Sequence, residues 1–507
     1  MVAAGIFLSR ILGLVRQRAL AHFLGNSSVA DAFTAAFRIP NLLQNLFGEG
    51  ALSASFIPVY AGLVADKDRE EANRVAGAVG ALLAVVVSGI VVLGILAAPL
   101  LVTVIAPGFA GEKRELTIRL VRIFFPGAGL LVVSAWCLGI LNSHRKFFLS
   151  YAAPVAWNLA IIGTLLVLGP RRSMADLAVA AAWASVAGSL LQVLVQWPTV
   201  RRLAPGLRLR LTTTTAHVRT VLSNFVPAFV GRGVVQVSAF IDSLLATLLP
   251  TGAVAAIGYA QTIYLLPVSL FGMAISAAEL PAMSSARGTT EEVSAYLQTR
   301  LNAGLRRVAF LVVPSAMAFL ALGHVIVSAL YQTGEFGRQD SLYVWGILAG
   351  SAVGLLASTM GRLYASAFYA LRDTRTPLRF AVVRVVLTGA LGWFAALRLP
   401  GLLVIGPEWG AAGLTASAGL AGWIEFYLLR RGLQVRVGAT GLPVGLLPRL
   451  WAAAAAGAGI GWVALRYLPA WHPVPLAVVV LGGYGVTYLL AARFFGVQEA
   501  RDLLVRR

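Results

Sequence analysis

The chain has 507 residues, of which 59% are apolar, 52 are glycine and only 12% are charged. Soluble domains carry about 25% charged residues, so this composition excludes a soluble multidomain enzyme. The 41 Lys and Arg against 20 Asp and Glu give a net charge of +21. In a soluble protein that surplus would point to nucleic acid; in so apolar a chain it asks first which side of a membrane holds the charge.

At about 36 residues per helix and loop, the length accommodates about fourteen spans. The apolar stretches lie at 2–24, 29–62, 75–107, 117–141, 149–169, 174–197, 220–248, 253–283, 302–331, 341–370, 377–398, 408–429, 447–468 and 473–495. The fold class expected is therefore an all-α multi-pass membrane protein. The first stretch carries Arg10, Arg16 and Arg18 and is not followed by a small-residue cleavage site, which predicts a retained helix rather than a signal peptide. Several stretches are interrupted, at Gly48, Gly50 and Pro58 and again at Gly272 and Pro281. Such breaks are tolerated at membrane depth where the freed backbone faces protein or a wet cavity.

Catalytic chemistry finds no support. Cys137 is the single cysteine and excludes an intramolecular disulfide, while the five histidines are too scattered for metal-ligand spacing. Neither a P-loop nor an HExxH or GxSxG motif is present, so no hydrolysis, ATP-driven step, metal or cofactor is expected. The glycines of GAGIG at 457–461 fall inside an apolar stretch and predict close helix packing rather than phosphate binding. The stretch around 287–307, with Glu291, Glu292, Arg300, Arg306 and Arg307, reads either as an amphipathic surface segment or as a solvated linker.

An even number of spans puts both termini on one side. With the termini inside, the inside loops hold 25 basic residues and the outside loops 8, which predicts cytoplasmic termini. The chain also repeats itself. LFGEGALSASFIP at 46–58 resembles LFGMAISAAELP at 270–281, and FLSR at 7–10 resembles FVGR at 229–232. Pro154 and Pro377 share the 223-residue offset of Pro58 and Pro281. Two six-helix lobes of the same orientation are therefore expected, at 1–200 and 201–435, with two further helices in 436–507.

Eight basic residues stay inside the spans, namely Arg10, Arg16, Arg18, Arg38, Arg122, Arg232, Arg362 and Arg384, together with Asp31, Glu49, Asp242, Glu279 and Glu425. Each costs about 2.5–3.5 kcal/mol at the bilayer centre on insertion scales, so those not snorkelling from helix ends need a use or a partner. Arg10 and Arg16 are separated by about 9 Å along a helix and by about 120° around it, so they can address one cavity at two depths. Guanidinium forks match phosphate oxygens in pairs, so the expected ligand is an anion. Glu49, between two glycines, can balance a cavity Arg. Arg232 is the repeat image of Arg10, and Asp242 is expected to pair with Arg384. A cation-coupling site at these acidic residues is the competing reading.

The run SRILGLVRQRALAHFLGNSSVADAFTAAFRIPNLL, followed by FGEGALSASFIPVY, resembles the N-terminal signature of the MurJ/MviN lipid II flippases of the MOP transporter superfamily. APGF at 106–109, NSHRKF and the AP leading to Asn158, YQTGEF at 331–336 and ALRDTRTP at 370–377 fit the same family in order. The resemblance implies a central cationic cavity between two lobes and a groove for the polyprenyl tail made by the last two helices. It also implies transport of the lipid-linked peptidoglycan precursor, lipid II, from the inner to the outer leaflet of the bacterial cytoplasmic membrane by alternating access. Ser9, Arg10, Arg16, Asp31 and Glu49 match motif residues; Arg38 and Arg232 are expected to join them at the substrate. Two positions depart: Gln44 and Thr262 stand where many members have basic residues, and Arg232 and Arg38 are expected to restore that charge. The partners expected are lipid II and membrane lipids, with no nucleic acid and a monomeric protein. The rival functions are a flippase for another polyprenyl-pyrophosphate-linked glycan and a cation-coupled exporter of the same superfamily.

Overall fold

The structure is a computed structural model that describes residues 2–213, 215–469 and 471–505; the side chains of 2–7, 48–50, 151, 230–239 and 503–505 lie outside that description. Among the described residues there is no β-strand, and the chain divides into two compact units, Met1–Ala255 and Ala256–Arg507.

The first unit contains α1 (Val2–Leu24), α2 (Ser28–Leu43), α3 (Ser53–Ala65), α4 (Arg69–Leu96), α5 (Ala98–Ile105), α6 (Gly111–Ser143), α7 (Phe147–Leu168), α8 (Met174–Leu203) and α9 (Ala216–Thr247). At the junction lies α10 (Ala253–Pro267). The second unit continues with α11 (Ala274–Ser284), α12 (Thr290–Ala321), α13 (Gly323–Tyr331), α14 (Arg338–Ala352), α15 (Leu355–Ala370), α16 (Arg375–Leu397), α17 (Leu399–Leu402), α18 (Gly410–Val437), α19 (Leu446–Tyr467), α20 (Pro473–Phe494) and α21 (Gln498–Val505). Every expected apolar stretch is thus occupied by a helix or by helix segments in succession. Among the described residues nine helices are by themselves long and apolar enough to cross a membrane, or ten if α14 and α15, bent by 41°, form one span. The count of about fourteen was taken from apolarity alone, which passes over the charges and breaks that shorten an unbroken apolar run.

Local chemistry sets where helices start and stop. Ser27, Asp68, Ser173 and Thr215 each accept a backbone N–H at a helix start, and Thr289 with Glu292 forms a reciprocal capping box on α12. Three helices end in the same way. Lys67, Arg145 and Arg372 take left-handed φ values of 62°, 59° and 59°. In each, the following residue's N–H reaches back to the last turn, as Asp68 to Leu63, Lys146 to Leu141 and Asp373 to Phe368. These are Schellman endings, and each places a basic residue at the turn.

The sequence repeat has a backbone counterpart. A π-helical turn, Gln44–Leu52, precedes α3 and Pro58; another, Val268–Met273, precedes α11 and Pro281. Single π turns inside α-helices are frequent at functional sites. α9, which the repeat assigns to the second half, packs with the first unit, where Phe225 and Phe229 meet Phe47 of the π turn at 5.9 and 5.1 Å between ring centroids.

In the second unit α12 is tied to the last two helices. Pro314 has no N–H for the carbonyl of Phe310 four residues earlier, and the Tyr488 hydroxyl of α20 donates to that carbonyl at 2.6 Å. Tyr484 donates to the Pro314 carbonyl at 2.6 Å. The glycines of GAGIG let α19 close on these neighbours: a Cβ at Gly457 would stand 2.8 Å from the Tyr484 carbonyl oxygen, and one at Gly461 2.9 Å from Leu322.

Candidate substrate site

α1 carries the two arginines expected at an anion, and only one of them is held. Arg16 donates from Nη1 to Asn158 Oδ1 at 3.1 Å, and its guanidinium lies 5.0 Å from the Phe37 ring centroid and 4.9 Å from that of Trp157. Phe37 and Trp157 stack on each other at 5.4 Å, so the cation rests against a rigid aromatic pair. Asn158 is itself fixed, because its amide nitrogen donates to the Pro154 carbonyl of α7 at 3.0 Å. Trp157 is anchored through Nε1 on Ser185 of α8, at 3.0 Å to the hydroxyl. With one edge committed to Asn158, the guanidinium keeps Nε buried and without a hydrogen-bond partner among the described residues. A buried charged donor left open in this way suits an oxygen of a phosphate.

Arg10 is exposed and Ser9 half-buried on the same helix. Arg38 of α2 lines a small enclosed space with Ala35, Ile105, Phe240, Ser243 and Thr247, and it lies within electrostatic reach of Asp242 on α9. Within the second unit, Arg384 of α16 donates to Glu425 of α18 at 3.2 Å. The expected pair would join residues of different units, Asp242 of the first and Arg384 of the second.

Asp31 has a different place from the one expected. It is 1% exposed; Lys113 Nζ reaches it at 2.5 Å, and the backbone N–H groups of Gly252 and Ala255 donate to it at 2.7 and 2.8 Å. The carboxylate caps the start of α10 and pairs a half-buried lysine, so its oxygens serve the fold. Lys113 also sits 4.1 Å over the Phe109 ring of APGF. The glycine of that motif is required by contact, because a Cβ at Gly108 would stand 2.0 Å from the Thr247 carbonyl oxygen.

The side chains of Glu49 and Arg232 lie outside the described residues. Glu49 falls in the Gln44–Leu52 π turn, which begins at Gln44. Thr262, the other departure, donates its hydroxyl to the Gly258 carbonyl at 3.0 Å. Sequence reasoning passed over Asn158, Trp157 and Phe37 as site residues. Asn158 had a signal, as a lone amide inside an apolar stretch; the two rings look like core.

A succession of broken apolar helices, with an arginine held against an aromatic pair inside them, defines the class as a multi-pass helical membrane protein. A solved lipid II flippase MurJ in an inward-closed conformation shares the fold, with a TM-score of 0.81 over 99% of both chains at 22% identity. An inward-facing multidrug resistance MATE transporter of the MOP superfamily matches at a TM-score of 0.67 over 85% of this chain and 96% of its own, at 17% identity. The family model described as lipid II flippase MurJ matches residues 20–482. The chain belongs to the MurJ family. It is 31% identical to a probable lipid II flippase MurJ of Rhizobium meliloti over 96% of this chain and 90% of that one. It is 32% identical to a lipid II flippase MurJ of Burkholderia cenocepacia over 86% and 83% of the two chains.

Proposed function

We infer that this protein flips lipid II from the inner to the outer leaflet of the bacterial cytoplasmic membrane, supplying cell wall synthesis. A pyrophosphate head group bearing sugars and peptide cannot cross hydrocarbon, so it needs a wet cationic path while its polyprenyl tail stays in lipid. The observation that carries the reading is Arg16, oriented by Asn158 and the Phe37–Trp157 pair with a donor left open. Arg10 meets the phosphates first from its exposed position, and Arg16 holds them during the switch of access from one face to the other. Arg38, Glu49 and Arg232 adjust the charge around them.

Both termini face the cytoplasm in this reading, supported by the 25 basic residues of the loops on that side against 8 on the other. The tail runs along α19 and α20, whose outer faces carry the exposed side chains Ile460, Trp462, Val463, Val478, Val486 and Leu490. The protein acts as a monomer and needs no bound cofactor. An inside-negative potential favours outward movement of each negative charge by about 2.3 kcal/mol per 100 mV, so the potential can bias the cycle without ATP.

The test is lipid II translocation in vesicles containing the purified protein. Translocation that rises with an inside-negative potential and disappears in Arg16→Ala supports the reading. Translocation equal in Arg16→Ala and wild type removes the site from it, and indifference to the potential removes the drive.

A further inference from the structure

A polar cavity lies in the second unit. It has a volume of about 600 Å³ and is formed by α12, the end of α18 and the 438–445 loop, with Arg306, Arg430, Asn302, Gln434, Thr440 and Leu442 in its wall. No carboxylate lines it. The loop is built onto this wall. Gln298 donates its amide to the Val437 carbonyl, and the Gly441 N–H donates to Asn302 Oδ1 at 2.9 Å. Arg430 Nε and Gln434 Nε2 both donate to the Thr440 carbonyl, at 3.3 and 3.0 Å, and the Tyr364 hydroxyl donates to the buried Thr440 hydroxyl at 3.3 Å.

The two arginines differ in what they have left. Arg306 is neutralised by Glu499 at 2.7 Å and gives a second donor to Gln498 at 3.1 Å. Arg430 makes no ion pair among the described residues, and only its Nε is engaged by protein. Its guanidinium lies against Gly441, where φ is 149° and a Cβ would stand 3.0 Å from Nη2. Asn302 accepts through its oxygen, so its amide nitrogen is the donor it has left for the cavity. Val435 and Val444, each next in sequence to a residue of the wall, are 85% and 105% exposed. Arg431 and Arg436 lie on the same end of α18, the latter paired with Asp373 at 2.7 Å.

A guanidinium without an ion pair, an amide donor and no acidic lining among the described residues, with exposed valines next to the wall in sequence, suit a phosphate attached to hydrocarbon. Basic pockets between membrane helices recognise anionic head groups in this way. We propose that this cavity binds the phosphate of an anionic phospholipid, with Arg430 as its principal donor and Val435 and Val444 against the acyl chains. The site rests on the membrane placement proposed above, and it does not depend on what the Arg16 site carries.

The full-length protein in detergent is titrated with short-chain phosphatidylglycerol, its neutral phosphatidylcholine counterpart and inorganic phosphate, with bound ligand read by native mass spectrometry. Wild type is expected to prefer phosphatidylglycerol over phosphatidylcholine by roughly fivefold or more, the worth of one basic residue near an anionic surface. Arg430→Gln is expected to abolish that preference. Arg430→Lys, which keeps the charge without the fork, should fall between them, and it keeps the test open if Arg430→Gln folds poorly. Phosphate binding lost in Arg430→Gln assigns the recognition to the phosphate alone; lipid preference without phosphate binding assigns it to the head group with its chains. Equal affinity for the two lipids, or an undiminished preference in both variants, overturns the proposal. No flipping is measured, so a failure here is separate from a failure of the transport reading.

Discussion

Arg16 and Asp31 show how two charges in apolar helices take opposite uses. Arg16 has a neutral partner and an open donor, whereas Asp31 is saturated by Lys113 and two backbone N–H groups. Removing the Asn158 amide takes away a hydrogen bond to a charged group, worth about 1.5–3 kcal/mol. Asn158→Ala should therefore weaken lipid II binding by about tenfold to a hundredfold, with unaltered affinity in a nanodisc titration counting against the holding role. Asp31→Ala should instead destabilise the fold by about 1–3 kcal/mol by leaving the buried N–H groups of Gly252 and Ala255 without their acceptor. Denaturant unfolding checks this, and a variant as stable as wild type would show that the cap on α10 is dispensable. Arg16 was legible in the sequence because an arginine in an apolar span demands an explanation. The role of Asp31 was not, since its partners are 82 and more than 200 residues away and two of them are backbone.

At the scale of elements, prolines and their compensating donors decide how helices join. Tyr488→Phe leaves the Phe310 carbonyl without its donor and should cost about 1–3 kcal/mol. The loss should shrink when Pro314→Ala is added, because the restored N–H can serve that carbonyl; equal losses in both backgrounds would remove the Tyr488 bond as the cause. The turn after α6 has its own sensitivity. His144 Nε2 meets the Tyr60 hydroxyl at 3.2 Å, and burial together with the Arg69 charge lowers its pKa below the usual histidine value. The unfolded chain binds a proton near pH 6.5 while the folded one resists it, so stability should fall as the pH drops below about 6.5. Unfolding curves between pH 7.5 and 5, about a unit either side of that value, should show a decline that His144→Gln flattens, whereas parallel curves would discount the histidine. Helix positions were readable from apolar runs and the repeat from Pro58 and Pro281. The π turns before those prolines were not, because an extra residue in a turn leaves no mark on hydrophobic pattern.

For the whole molecule, the +21 charge is chiefly an orientation signal, and the transport reading places function in the small surplus left within the helices. The number of spans was the least legible quantity. The segments around Arg10, Glu49 and Arg232 carry charges and breaks that the transport reading assigns to the path, and these lower their apolarity as spans. Gln44 and Thr262 still allow an anion path if Arg10, Arg16 and the charges near them suffice. The most direct measurement is expression of this chain in bacteria depleted of their own lipid II flippase, scored by growth and by lipid II exposed on the outer leaflet. Wild type should restore both, and Arg16→Ala at equal membrane level should restore neither. Wild type present at normal level in the membrane with no lipid II reaching the outer leaflet would contradict the account.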